Sequence, residues 1–129
     1  MRLTLTTLLV KDYDEAIDFY VDRVGFALRE DTDMGGDKRW VVVGPSGGGA
    51  GLLLAKAVSA DQASAVGNQG GGRVMFFMET DDFAKEHARM TSAGVRFLEE
   101  PRHEPYGSVV VFEDLYGNRW DLIQRVSAG

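Results

Sequence analysis

Apolar runs along the chain are broken at regular intervals by glycines and acidic residues, and the order of those runs occurs twice. Leu3 to Val10, rich in Leu, Thr and Val, reads as a strand. Asp12 with Glu15 three residues on forms a capping box. Ala16, Ile17, Phe19, Tyr20 and Val24 then fall at helical spacing, and Gly25 supplies the stop. Phe26 to Asp31, Arg39 to Val43 and Gly51 to Ala55 are strand-like runs separated by Gly-rich or polar turns, so the predicted order is βαβββ. After a looser stretch, 56–72, the order returns. Arg73 to Met78 is strand-like, and Thr80 is the predicted cap of a helix carrying Phe83, Ala84, His87, Ala88 and Met90 that stops at Gly94. Val95 to Leu98, Ser108 to Phe112 and Arg119 to Ile123 are three more strands, with a tight turn at Tyr116-Gly117-Asn118.

The halves align at an offset of about 68 residues, which sets Asp12 on Thr80, Leu5 on Arg73, Gly49 on Gly117 and Leu53 on Asp121. That period is too long for a solenoid and describes a duplicated module. The prediction is one α+β domain over 1–129, with module 1 at about 1–66 and module 2 at about 73–126. The glycine-rich 67–72 segment between them reads as a flexible linker. A phosphate cradle would need a helix N-terminus next, and a strand follows instead.

Composition narrows the function. Apolar residues make up 44% of the 129 positions and charged residues 26%, an ordinary globular balance. No apolar run approaches the roughly 20 residues of a membrane span, and no secretory leader opens the sequence, so a cytoplasmic location is the default expectation. With no cysteine there is no disulfide, thiolate ligand or thiol nucleophile. A formal charge of −6 argues against nucleic acid or an anionic membrane as partner. It leaves a small molecule or another protein, and the acidic balance suits a cationic ligand.

The opening Leu9-Val10-Lys11-Asp12, Ala16-Ile17-Asp18-Phe19-Tyr20 and Gly25-Phe26, with the closing Phe112 to Leu122 that reads FEDLYGNRWDL, resembles the glyoxalase/bleomycin-resistance/extradiol-dioxygenase (vicinal oxygen chelate) superfamily over essentially the whole chain. The resemblance implies a strongly curved mixed sheet in each module, helices on the outer face, a concave face inside, and a homodimer. In metal-dependent members it also implies a divalent ion held by His, Glu or Gln from the first and fourth strands. Those slots fall here on Leu5, Arg73, Leu53 and Asp121. Leucine has no donor atom and arginine is a fixed cation, so only Asp121 keeps a ligand oxygen, against the three or four ligands a first-row metal takes. No metal or other cofactor is expected. His87, on a helix, reads as a surface or packing residue. His103, in the predicted loop 101–105, reads as a solvated turn residue or an acid–base group.

Strand alternation completes the expected cavity. If Leu5, Leu53, Arg73 and Asp121 face it, so do Thr7, Met75, Phe77, Arg119 and Ile123, while Leu8, Val10, Leu52, Leu54, Val74, Phe76, Trp120 and Leu122 pack under the helices. Arg73 and Asp121 are expected to sit close enough to pair, as a structural ion pair or as an anchor for a ligand carboxylate or hydroxyl. Trp40 either stacks on an aromatic ligand or packs in a core or dimer contact. Tyr106 is a candidate for the cavity mouth. Glu99-Glu100 and Glu113-Asp114 read as solvated turn acids, because neighbours on a strand point apart. Three functions fit: a metal-free binder that sequesters an apolar or aromatic compound or antibiotic, a lyase, isomerase or dioxygenase of the family's kind, or a regulatory module with a vestigial cavity. Whether the chain is an enzyme is left open.

Overall fold

A computed structural model describes residues 1–126, and the chain divides into two compact units, Met1–Gln69 and the remainder from Gly70. In the first unit β1 (Leu5–Val10) leads into α1 (Tyr13–Ile17), then a π-helical turn (Asp18–Val24), and β2 (Ala27–Asp33), β3 (Arg39–Gly44) and β4 (Gly51–Lys56) follow. The Asp12 carboxylate caps α1 by accepting from the Glu15 N–H at 2.9 Å, and Gly25, at φ 98°, ends the helical segment in a conformation that favours glycine. The sheet runs β1-β4-β3-β2, with β1 parallel to β4 and the other pairs antiparallel.

The stretch expected to be loose holds a short helix, α2 (Ala60–Ala65), capped by Ser59. Beyond it the Gln69 side chain is tied to β1. Its amide accepts from the Leu9 N–H at 2.6 Å and donates to the Thr7 carbonyl at 3.3 Å, so a side chain occupies the open edge of β1.

The second unit repeats the plan with β5 (Val74–Glu79), α3 (Phe83–Ser92), β6 (Arg96–Phe97), β7 (Arg102–Glu104), β8 (Gly107–Glu113) and β9 (Arg119–Arg125). Its sheet runs β5-β9-β8-β6, with β7 also paired to β8. The cap of α3 is Asp82, which accepts from the Lys85 N–H at 3.2 Å; Thr80 acts one step earlier, accepting from the Asp82 N–H. Where the first unit has one continuous second strand, this unit has β6 and β7, split around Pro101, which has no N–H to give a ladder. A Glu99 oxygen takes the Val111 N–H at 3.0 Å across the break. His103 therefore sits on a strand, not in a loop, with its Nδ1 2.9 Å from the Ser108 hydroxyl.

Each sheet buries one face as alternation requires. Leu8, Val10, Leu54, Val41 and Val43 are sealed in the first unit, and Leu122, Val110, Phe112 and Trp120 in the second. Each such side chain contributes roughly 1.5–3 kcal/mol. Val74 and Phe76, expected in the buried set, are half-buried. His87 packs within an aromatic row in the second unit, its ring centre 4.5 Å from that of Phe97 on one side and stacked with Phe83 on the other. Asp114 corrects the solvated-acid reading. It is buried and accepts from Tyr116 N, Asn118 N and Asn118 Nδ2 at 2.8–2.9 Å, closing the β8–β9 turn. Glu113 instead pairs with Arg96, and Glu100 is exposed.

Candidate functional site

The less buried face of the first sheet carries Leu5, Thr7 and Leu53; Thr7 lies directly beside Leu53, whose other neighbour is Val42. Trp40, two residues before Val42 on β3, shares that face. It is half-buried, and its indole Nε1 donates to Glu30 Oε2 at 2.8 Å, which fixes the plane of the ring. Trp40 and Leu53 line a cleft of about 670 Å³ together with Ala55, Val58, Gln62 and Tyr13, and Lys38, Arg39 and Lys56 reach its edge.

The cleft wall is braced by one ion network. Arg39 grips Asp31 with two nitrogens, at 3.1 and 2.7 Å, and reaches Asp14 at 2.9 Å. Its guanidinium lies 5.2 Å from the Tyr13 ring centre, and its backbone N–H donates to the Tyr13 hydroxyl at 3.2 Å. The hydrogen bonds from Arg39 hold the Asp31 carboxyl below its ordinary range, and those to Asp31 and Asp14 raise Arg39 further. Sequence reasoning found Trp40 and Leu53 and missed Tyr13, Val58 and Gln62. A signal existed: Ser59 followed by Gln62 is a capping pattern, and Gln62 accepts from the Val58 N–H while Ser59 accepts from the Gln62 N–H.

In the second unit Phe77 lies beside Asp121, with Val111 on the other side. Phe77 is 70% exposed. The expected Arg73–Asp121 pair does not form among the described residues. Arg73 precedes β5, and the pairing of β5 with β9 shifts between Val74 and Phe76, so alternation cannot be carried back through Met75 to Arg73. The cation acting on Asp121 is Arg102, which itself bonds Glu99 at 2.9 Å. That bond raises Arg102 further. Burial pushes the Asp121 carboxyl up, Arg102 opposes the shift and Glu99 adds to it, and Asp121 Oδ1 is buried without a hydrogen-bond partner. Arg119 is exposed beside Glu113, and Tyr106 is half exposed at the tip of the β7–β8 hairpin.

A divalent ion, as metal-dependent relatives of this fold hold, does not suit these residues. Thr7 and Leu53 flank one another in the first sheet and Phe77 and Asp121 in the second, and among the described residues no three His, Asp or Glu groups gather. Among the described residues no helix is long and apolar enough to cross a membrane.

Two mixed sheets, each opened by a parallel strand pair separated by a helix, with a cleft on the less buried face, define a duplicated βαβββ protein. The family model "Glyoxalase/Bleomycin resistance protein/Dioxygenase superfamily" matches residues 2–122, and the chain belongs to that family. It is 55% identical over 119 residues to an uncharacterised protein of Shewanella frigidimarina, covering 91% of this chain and 88% of that one. Among solved structures it is similar to UcmS2, at 29% identity and a TM-score of 0.83 over 95% of this chain and 97% of that one. It is also similar to TnmS3, an antibiotic-binding protein from Streptomyces sp. CB03234, at 30% identity and a TM-score of 0.81 over 98% and 97% of the two chains.

Proposed function

We propose that the protein binds and sequesters a largely apolar or aromatic small molecule, an antibiotic being the class its relatives suggest, and does so as a homodimer without a bound metal. The observation that carries this reading is the first-unit cleft, about 670 Å³, in which Glu30 pins the Trp40 indole beside Leu53, Ala55 and Val58. Small-molecule sites have this size and this mixture of apolar walls with a few polar groups. The similarity to TnmS3, itself an antibiotic-binding protein, supports the same class of ligand.

A second reading, catalysis of the lyase or isomerase kind, draws on the raised Asp121 carboxyl, since a carboxyl lifted by burial is suited to accept and return a proton. Among the described residues the charges acting on Asp121 are those of Arg102 and Glu99, which pair with each other, so binding is preferred.

The test is a thermal-shift and fluorescence screen of the full chain against antibiotics and plain aromatic compounds. Trp120 is 4% exposed and sits in the second unit, so quenching of tryptophan emission by a cleft ligand reports on Trp40 and should vanish in Trp40→Phe. A binder should raise Tm by several degrees, since 1 kcal/mol is worth about 2–8 °C for domains of this size. If no compound shifts Tm or quenches emission up to its solubility limit, the reading fails.

A further inference from the structure

The overall charge of the protein favours a cationic ligand, but the polar groups around the cleft favour the opposite. Gln62 spends its oxygen on the Val58 N–H at 2.8 Å, which leaves its amide nitrogen to donate. The Tyr13 hydroxyl accepts from Arg39 N, so its own hydrogen remains to be given. Lys56 is half-buried and Lys38 exposed, and neither has an ion-pair partner among the described residues.

Most of the nearby carboxylates already hold a partner, which engages their oxygens but leaves their charge in place. Asp31 holds Arg39 with both oxygens and Asp14 holds it with one; Glu30 holds the Trp40 indole. A shallower recess adjoins the cleft through Tyr13, Asp37, Arg39 and Lys56. There Asp12 caps α1 and Asp33 accepts from Gly35 N at 2.9 Å. Asp37, exposed, is the one carboxylate among the cleft residues, set against Lys38, Lys56 and the already paired Arg39.

Resting on the binding role proposed above, we infer that the ligand of this cleft is an aromatic compound bearing an anionic group, a carboxylate being the simplest. Its ring lies against Trp40 and Leu53, and its charge lies toward Lys56 and Lys38 with the Gln62 amide and Tyr13 hydroxyl as neutral donors. Binding an aromatic anion here requires Lys38, Lys56 and the two neutral donors to outweigh both the distant acidic field and the neighbouring charges of Asp37, Asp12, Asp33 and Glu30. Screening makes this feasible, because charges more than about 8–10 Å away are largely damped at ordinary salt while a lysine at the rim is not.

The experiment compares 2-naphthoate, 2-naphthylmethanol and 2-naphthylmethylammonium, three probes with one ring system and three charges, by titration calorimetry and tryptophan quenching on the full chain. The carboxylate should bind about fivefold or more tighter than the ammonium. That preference should shrink as salt rises from about 0.05 to about 0.5 M, a readout that needs no variant. Lys56→Gln and Lys38→Gln should each lower the carboxylate's affinity while leaving that of the alcohol within about twofold. Equal or tighter binding of the ammonium, or an unchanged preference in the double variant, overturns the anionic assignment and leaves the binding role intact. If none of the three probes binds and the antibiotic screen is also empty, the binding role itself falls.

Discussion

Truncating Trp40 is the most direct perturbation of the cleft. The side chain is half-buried, and its remaining face is presented to any ligand lying over Leu53. A stacked ring would cover roughly 60–80 Å² of indole, worth about 1.5–2 kcal/mol at ~25 cal/mol per Å². Ring–ring geometry adds about 0.5–1.5 kcal/mol. Trp40→Ala should thus weaken an aromatic ligand by about 2–3.5 kcal/mol, or roughly thirty- to three-hundredfold in Kd. Glu30→Ala leaves the ring but frees its orientation by removing the 2.8 Å bond, and should cost the ligand a smaller amount, about 1 kcal/mol. The assay is calorimetry with whichever compound gives the largest Tm rise, paired with urea unfolding to show that each variant stays folded. Because Trp40 is not sealed in the core, its loss should cost the fold only about 1–2 kcal/mol. A folded Trp40→Ala protein that binds within twofold of the parent would refute the stacking argument.

Three further outcomes follow from the same structure. Gly107→Ala would drive a methyl into the Gln124 carbonyl and to 2.9 Å from Arg125 Cα at a φ of +148°, all against backbone of the paired strand, so urea unfolding should report a loss of about 2–5 kcal/mol; a loss under about 0.5 kcal/mol contradicts the close approach. Asp121 has its carboxyl raised above the ordinary 3.8, so between the two values the folded chain holds more protons than the unfolded one and stability falls as pH rises. Asp121→Asn should therefore gain on the parent from about pH 4 upward in pH-resolved unfolding, and a parent that instead gains on the variant would reverse the sign assigned to burial. After loading with zinc, nickel, manganese or iron and desalting, elemental mass spectrometry should find well below one ion per chain, because the donors a metal takes are not gathered; stoichiometric metal would mean the ligands come from residues assigned no such role.

Much of this architecture was legible because local signals agreed with burial. Asp12 caps with Glu15 as the spacing predicts, and the apolar alternate positions Leu8, Val10, Leu54, Trp120 and Leu122 are those the sheets bury. The misreadings came from places where side chains replace backbone order. Glu99 substitutes for a ladder bond at the break before Pro101, so a strand fragment holding His103 looked like a loop. Asp114 was judged by the strand rule that neighbours diverge, but it lies in a turn whose N–H groups converge on it. The Arg73–Asp121 pair failed because a constant offset between the halves cannot see a register shift. By pairing, Thr7 accompanies Leu53 and Phe77 accompanies Asp121, two residues further along β5 than that offset allows.

That shift has a consequence for how the duplicated modules divide their work. At corresponding places on the two sheets one module sets Thr7 beside Leu53, and the other sets Phe77 beside Asp121. In the first, Arg39 ties up Asp31 and Asp14 and Trp40 holds Glu30, and what remains at its cleft is an aromatic ring among spare donors with one exposed carboxylate, Asp37. The second has an acid with a buried, unpartnered oxygen, an ion pair between Glu99 and Arg102, and an exposed phenyl ring. A metal site would need three or four gathered ligands, and among the described residues the slots of neither module offer them. These have diverged toward unlike chemistry, one donor-rich and aromatic, the other carboxylate-centred. Unlike chemistry in the two modules argues against an ion held by like ligands, and the naphthalene series, one ring system carried at three charges, tests the donor-rich reading of the first module's cleft.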